Sequence, residues 1–208
     1  MYKKLDEDSR QRLLESGIEE FAKNGLDRAA MSRIAENAGV SVGVIYKYYR
    51  DKDDFFLSCV QHSLELLNRA MEQVVSEEDD IGLCIENLVH TLTVEAKNHP
   101  AYYVLYNEIT SGSCKKYAVE LAKRIESVTA GIYGELIQKA QKQGKIKYAG
   151  DPAMFAFFFD NLLMMLQFSF SCEYYKERMK IFCGEGSVEH TEQIGEAFVG
   201  FIRSTLGV

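Results

Sequence analysis

The chain is poor in the residues that break helices or cross-link a fold. It has 2 prolines and no tryptophan among 208 residues. Because proline interrupts the interior of a helix, its scarcity favours an all-α fold. The cysteines are odd in number, far apart and never spaced C-x-x-C, which argues against a disulfide framework or a Cys-type zinc site and favours reduced thiols in the cytoplasm. They are Cys59, Cys84, Cys114, Cys172 and Cys183.

Sequence motifs of catalysis are also lacking. No H-E-x-x-H, P-loop, G-x-S-x-G or G-x-G-x-x-G pattern occurs. The histidines are scattered, and no Glu-x-x-His pair typical of di-iron bundles is present. We therefore expect a protein that is not an enzyme, with no catalytic residue, no cofactor and no metal site.

The N-terminus lacks the apolar stretch of a signal peptide. One segment, residues 152–172, is apolar enough to be a candidate membrane helix. It carries Asp160, Asn161 and Gln167 near its middle, and a central Asp costs about 2.5–3.5 kcal/mol on membrane insertion. We interpret it as a buried helix of a cytoplasmic protein with no membrane partner.

Helical signals extend along the whole chain, without the alternation typical of strands. Ser9 and Ser41 are the expected N-caps of the first and third helices, and Gly25 the expected stop of the first. Short helices precede residue 52 and longer ones follow it, so we predict two domains, 1–51 and 52–208. The expected helices span about 9–24, 30–37, 42–49, 52–75, 81–98, 100–110, 114–143, 152–178 and 188–206.

Two of the short helices, joined by a turn at Gly39, have the outline of a helix-turn-helix. The second of them presents one exposed face whose size fits the DNA major groove. The positions predicted to point inward are Ile34, Ala35, Ala38, Val40, Ile45 and Tyr48. The exposed face consists of Val42, Gly43, Tyr46, Lys47 and Arg50.

Charge is distributed unevenly around this motif. The chain carries a formal charge of −7, which argues against a protein that coats nucleic acid with its whole surface. Residues 28–52 nevertheless hold five basic and two acidic side chains, a net charge of +3, which leaves −10 on the remainder. Positive charge is thus concentrated on the segment that the motif nominates for DNA binding.

The segment MSRIAENAGVSVGVIYKYYRDKDDFF resembles the DNA-binding region of TetR-family transcriptional regulators. The resemblance implies an all-α protein with an N-terminal three-helix DNA-binding domain and a C-terminal helical bundle for ligand binding and dimerisation. It also implies a homodimer that binds a palindromic double-stranded DNA operator, most often as a repressor, and responds to a small-molecule effector. The matching positions are Ile34, Ala35, Ala38, Gly39, Val40, Ser41, Tyr46 and Lys52.

The resemblance also assigns DNA-binding roles by position. Tyr46 and Lys52 are expected at phosphates, with Lys52 at the start of the fourth helix. Two departures stand out: Ala30 lacks the hydroxyl usual at the start of the second helix, and Tyr48 replaces a usual histidine but keeps a group that can bind phosphate. The expected DNA-binding residues are Ser41, Val42, Gly43, Tyr46, Lys47, Tyr48 and Lys52.

In the C-terminal region, residues 152–172 are apolar around most of the helix circumference and must be covered on two sides. Pairing with the last helix across a two-fold axis would form a four-helix bundle, in agreement with the resemblance.

An effector pocket is implied by the family and only weakly by the residues, because aromatic and methionine side chains of this kind also build ordinary cores. Asp160 needs a partner, either a basic side chain or a polar group of the effector. The alternative function is an all-α small-molecule-binding protein that has lost DNA binding. The expected residues for a small apolar or aromatic effector are Tyr102, Tyr106, Tyr133, Phe158, Asn161, Met165 and Phe168.

Overall fold

A computed structural model describes residues 5–110 and 112–208, and this part of the chain is helical and contains no strand. The predicted all-α fold is confirmed. Short 3₁₀ helices at Gly112–Tyr117 and Glu185–Val188 precede two of the α-helices. The α-helices are α1 Glu7–Arg28, α2 Met31–Asn37, α3 Val42–Tyr48, α4 Lys52–Glu77, α5 Ile81–Asn98, α6 Pro100–Ile109, α7 Ala118–Lys142, α8 Pro152–Ser171, α9 Glu173–Cys183 and α10 Thr191–Leu206.

The helices form two compact units. The first unit comprises the chain up to Glu65 together with Ala101–Ala118, and the second comprises Leu66–Pro100 and Val119–Val208. Helix α4 therefore begins in the first unit and ends in the second. The segment that contains α6 belongs to the first unit, although α5 precedes it and α7 follows it in the sequence.

The first helix begins earlier than its apolar pattern predicts. Its N-cap is Asp6, whose carboxylate accepts the backbone N–H of Ser9 at 2.9 Å, so the prediction of Ser9 as the cap was wrong. A carboxylate at this position also interacts favourably with the positive end of the helix dipole. Gly25 interrupts the helix as predicted, with φ 70°, and one further turn follows it.

The predicted helix over 152–178 is two helices in the structure. Cys172 adopts an extended conformation (φ −104°, ψ 129°) that ends α8, and α9 starts at the next residue. The Ser171 hydroxyl donates to the Ala96 carbonyl of α5 at 3.1 Å, so a contact distant in sequence holds the chain at this break. Two other helices start later than predicted, because 3₁₀ turns occupy the residues before α7 and α10.

Each unit has an aromatic core. In the first, the Phe21 ring packs edge-on against Phe56 at a centroid distance of 5.1 Å. In the second, the buried Tyr133 ring contacts Phe159 of α8 at 5.0 Å. By length and composition α8 could cross a membrane, which is weak evidence because core helices of soluble proteins pass the same test.

Candidate nucleic-acid interface

Helices α2 and α3 form the predicted helix-turn-helix within the first unit. Ile34, Ala35 and Ile45 are buried, and the small side chain of Ala35 allows the two helices to approach each other. Gly39 lies in the turn with φ 68°, a conformation that L side chains rarely adopt. The next residue closes the turn, since the Val40 N–H donates to the Ala35 carbonyl at 2.9 Å.

Helix α3 presents most of the predicted DNA-binding residues to solvent. Tyr46 is 47% exposed and Tyr48 is 40% exposed. Ser41, Gly43 and Lys47 are also exposed, whereas Val42 is partly buried. Ser41 precedes α3 as predicted, but its side chain makes no capping hydrogen bond. Five of these six residues are therefore exposed at or just before α3, the helix that would enter the major groove in a helix-turn-helix protein.

Two positions predicted to point inward are not fully buried. Tyr48 is exposed, and its hydroxyl oxygen accepts the backbone N–H of Leu5 at 2.9 Å. Its neighbour Tyr49 packs on Phe55 instead, at a centroid distance of 4.8 Å, and burial raises the pKa of the Tyr49 phenol. The reason is the helical period, because Tyr49 lies four residues after the buried Ile45 and so follows it on the same side. Val40 is only partly buried.

Lys52 makes contacts that the sequence did not indicate. Its ammonium donates to the Asp27 carbonyl at 2.8 Å and to the Ala29 carbonyl at 3.4 Å. It therefore joins the start of α4 to the connection between α1 and α2. An ammonium has three protons to donate, so this position remains compatible with the predicted phosphate contact.

Glu20 supports the start of α2, a role that its sequence position did not indicate. It is only 4% exposed, and its carboxylate accepts the backbone N–H of Ala30 at 2.9 Å and lies 3.7 Å from the Arg33 guanidinium. The negative charge thus stands at the N-terminus of α2, where Ala30 offers no hydroxyl. Its burial could have been inferred from the sequence, because Glu20 lies seven residues after Leu13 and therefore on the same side of α1.

The 101–118 segment is tied to the rest of the first unit by polar contacts. Lys116 and Tyr117 both donate to the Asp53 carboxylate, Tyr117 at 2.5 Å, and these hydrogen bonds lower the pKa of Asp53. A second contact joins α6 to α1, because the Tyr102 hydroxyl donates to Glu15 at 2.5 Å. The His62 ring of α4 lies 3.3 Å from the same carboxylate.

The residues predicted to bind the effector are divided between the two units. Tyr102 and Tyr106 belong to the first unit, and the other five to the second. Tyr133 and Phe168 are 2% exposed, and the Tyr133 hydroxyl donates to the Met71 sulfur at 3.2 Å. Phe158 is 56% exposed. Asn161 and Met165 are partly buried.

Asp160, on the same helix as four of these residues, lies in an apolar setting. Burial, reinforced by the negative charge of Glu126, raises the pKa of Asp160 to about 6. Burial and the Asp160 charge also raise the pKa of the Tyr133 phenol. The Asp160 carboxyl group is therefore protonated more easily than an ordinary aspartate.

Comparison with known proteins identifies the helix-turn-helix region. The family described as "Bacterial regulatory proteins, tetR family" matches residues 13–59. The chain is 25% identical to the fatty acid metabolism regulator protein of Bacillus subtilis (strain 168) over 142 residues. The aligned region covers 65% of this chain and 69% of that protein.

Solved structures share the fold over nearly the whole chain. The fatty acid degradation regulator FadR from Bacillus halodurans superposes with a TM-score of 0.74 at 16% identity, covering 92% of this chain and 98% of that one. The transcriptional regulator FadR from Bacillus subtilis in complex with stearoyl-CoA gives a TM-score of 0.69 at 17% identity, covering 91% and 97%. At these identities the likeness concerns the fold.

Proposed function

The chain belongs to the TetR family of bacterial regulatory proteins, and we propose that it represses transcription by binding a palindromic operator as a cytoplasmic homodimer. The observation that carries the proposal is the exposed surface of α3, where Tyr46 and Lys47 stand at the centre of a locally basic segment. Side chains at these positions can contact base edges and phosphates together.

Dimer formation is supported by apolar side chains that the second unit leaves exposed. On α8, Phe157 and Phe158 are 60% and 56% exposed, and on α10 Phe201 is 59% exposed. Large exposed apolar patches mark interaction surfaces. In a two-fold dimer, α8 and α10 of the partner would cover α8 and α10 in one isologous interface. The dimer would also provide two copies of α3 for successive major grooves, about 34–36 Å apart.

The proposed effector is a small apolar or aromatic molecule that binds in the second unit. Stearoyl-CoA, the ligand named for the FadR structure from Bacillus subtilis, makes a fatty-acyl chain the first effector to test. Binding would shift α4, which belongs to both units, and so change the separation of the two α3 helices. A coupling of about 1–3 kcal/mol is enough for a useful switch.

Salt-dependent binding to the DNA upstream of the protein's own gene tests the proposal. We expect binding at low salt that Lys47→Ala weakens about tenfold, with a slope of log affinity against log salt that is smaller by about 1. Tyr46→Phe should weaken it less, because one hydroxyl is lost. Lys123→Ala is the matched control, since Lys123 is an exposed lysine of α7.

Absence of binding at low salt, with all variants alike, would contradict the proposal. It would favour the alternative, a small-molecule-binding protein that has lost DNA binding.

A further inference from the structure

Helix α9 of the second unit presents apolar side chains to solvent. Tyr174, Ile181 and Phe182 are 75%, 82% and 76% exposed, and no other large apolar side chain that the structure describes is exposed to the same extent. Their spacing of seven and eight residues places them on one side of the helix. Exposed apolar side chains that cluster in this way mark interaction surfaces.

The opposite side of α9 is packed against the second unit. Met179 is buried, and the Tyr175 ring lies 5.4 Å from the Phe168 ring of α8. The Tyr174 ring then packs edge-on against Tyr175, also at 5.4 Å. The helix is therefore held by its inner side, and its apolar outer side has no cover within the part of the subunit that the structure describes.

This outer side is separate from the apolar surface of α8. Phe158 is 56% exposed, but the consecutive residues 167–172 are all buried, so α8 is covered on every side before α9 begins. From Phe158 to Ser171 the helix rises about 20 Å, at 1.5 Å per residue. Two apolar surfaces divided by a buried stretch of this length indicate two separate contacts.

Two opposite charges lie in the middle of the outer side of α9. The exposed Glu177 carboxylate lies 2.5 Å from the Lys180 ammonium of the same helix. The exposed Arg178 guanidinium lies over the Phe182 ring, 5.1 Å from its centroid. Because both charged groups remain in solvent, each can also meet an opposite charge on another molecule.

The order of these residues is self-complementary. Glu177 and Arg178 are adjacent at the centre, Tyr174 lies three residues before them and Ile181 three residues after. If two α9 helices pair in antiparallel fashion about a two-fold axis, Glu177 of each copy faces Arg178 of the other. Tyr174 of each copy then faces Ile181 of the other. A contact between identical surfaces requires this kind of self-complementarity.

The area of this surface predicts a weak contact. A whole aromatic side chain buries about 150–250 Å², so the exposed parts of Tyr174, Ile181 and Phe182 amount to roughly 400 Å² in each copy. Stable interfaces bury about 1,200–2,000 Å² in total. The pair of helices would bury less than that, and it would therefore form only where copies are concentrated or held side by side.

We propose that α9 binds α9 of a second copy of this chain as an antiparallel pair, and that this contact joins two homodimers. Homodimers bound to neighbouring operators would be at a high effective concentration, where a weak contact is sufficient. The homodimer and its operators rest on the proposed function, whereas the pairing of α9 does not require DNA.

Sedimentation equilibrium of the full-length protein, from about 1 μM to 1 mM, tests the proposal. The mass at low concentration reports the homodimer, and we expect that mass to double with a dissociation constant of about 0.1–1 mM. Ile181→Asp should weaken the doubling at least tenfold, because it places a carboxylate against the Tyr174 ring of the other copy. The species at low concentration should remain unchanged.

Exchange of the two central charges tests the antiparallel pairing. Glu177→Arg and Arg178→Glu should each weaken the doubling about threefold or more, because like charges then face each other across the axis. The double variant should recover most of the lost affinity, since opposite charges face each other again. A role of either residue within its own subunit would not produce this recovery.

The matched control for Ile181→Asp is Val119→Asp on α7. Val119 is 71% exposed and lies outside α9, so this variant should double in mass like the wild type. Both variants should keep the thermal unfolding midpoint of the wild type at low concentration, because both side chains are largely in solvent.

Four results would overturn the proposal. They are no doubling of mass up to 1 mM, equal doubling of the wild type and Ile181→Asp, loss of the low-concentration homodimer in Ile181→Asp, and a double charge variant as weak as the single ones. A low-concentration mass of one subunit would contradict the proposed homodimer instead, and doubling of that mass would still report the pairing of α9.

Discussion

Both units have an aromatic core, but they differ in the length of their helices and in the apolar surface that they leave exposed. In the first unit, the buried carboxylate of Glu20 and the ammonium of Lys52 bind backbone groups of the α1–α2 connection, and Asp53 holds Lys116 and Tyr117. In the second unit, long helices pack through aromatic rings, and large apolar side chains of α8 and α10 remain on the surface.

The difference follows from helix length. Helices α2 and α3 have seven residues each, which is too short for stability in isolation, so polar contacts to neighbouring elements must orient them. The longer helices of the second unit can also be oriented by the apolar faces that they bury against each other. Four predictions test this comparison.

The largest effect is expected where the second unit leaves an apolar side chain exposed. Phe201→Asp on α10 should dissociate the proposed homodimer and lower operator affinity more than about 100-fold, because each subunit would then contact a single half-site. Sedimentation and DNA binding measure the two consequences. Phe182→Asp on α9 is the control, because this residue is 76% exposed but lies outside the proposed interface. A dimer that survives Phe201→Asp would contradict the prediction.

Next in size is the loss of a polar contact in the first unit. Glu20→Ala should lower the free energy of unfolding of this unit by about 3 kcal/mol, since it leaves the Ala30 N–H unpaired and removes the negative charge beside Arg33. Amide hydrogen exchange rates in α2 and α3 measure this loss of stability. The control is Glu19→Ala at the exposed neighbouring residue, which should change the free energy of unfolding by no more than about 0.5 kcal/mol. Equal exchange rates in both variants would show that Glu20 does not stabilise α2.

A glycine pair separates packing from backbone effects. A Cβ at Gly17 of α1 would lie 2.5 Å from the Cys59 sulfur and 2.7 Å from the Phe55 ring, so Gly17→Ala should cost about 1–3 kcal/mol through overpacking. Gly131 of α7 has open space around the same atom, so Gly131→Ala should stabilise by up to about 1 kcal/mol. Urea unfolding measures both, and the same sign for both variants would refute the distinction.

The smallest effect concerns the one perturbed carboxyl group of α8. Because the pKa of Asp160 is raised to about 6, the folded protein retains a proton that the unfolded chain loses near pH 4. Stability should therefore fall as the pH rises from about 4 to 6 and stay lower above that range. Asp160→Asn should stabilise by about 1–2 kcal/mol at pH 7 and leave stability at pH 4 unchanged. Glu189→Gln, at an exposed acid, should show no such pH dependence.

Much of the fold was predictable because its signals are local. Pro100 and Pro152 begin α6 and α8, and Asp80 caps α5, so these helices start where the sequence indicates. The turn of the helix-turn-helix was equally clear from Gly39. The break at Cys172 was not, because the neighbouring residues include no glycine or proline and the contact that holds it comes from α5.

On α3, the exposed side chains were predictable from the sequence, but the contacts around the helix-turn-helix were not. Exposure of Tyr46 and Lys47 follows from the spacing along α3. The contacts of Glu20 and Lys52 were not predictable, because each joins residues that are 10 or more positions apart. Such pairs come together only when α1, α2 and α4 pack.

The sequence by itself determined the helical fold, the ends of most helices and the position of the DNA-binding motif, because glycine, proline and apolar periodicity act on the backbone over a few residues. Tertiary structure alone decided that Lys52 binds carbonyl groups of the α1–α2 connection and that the Ser171 hydroxyl meets the Ala96 carbonyl at the break between α8 and α9. These outcomes depend on which surfaces meet, and that is set by the packing of helices distant in sequence.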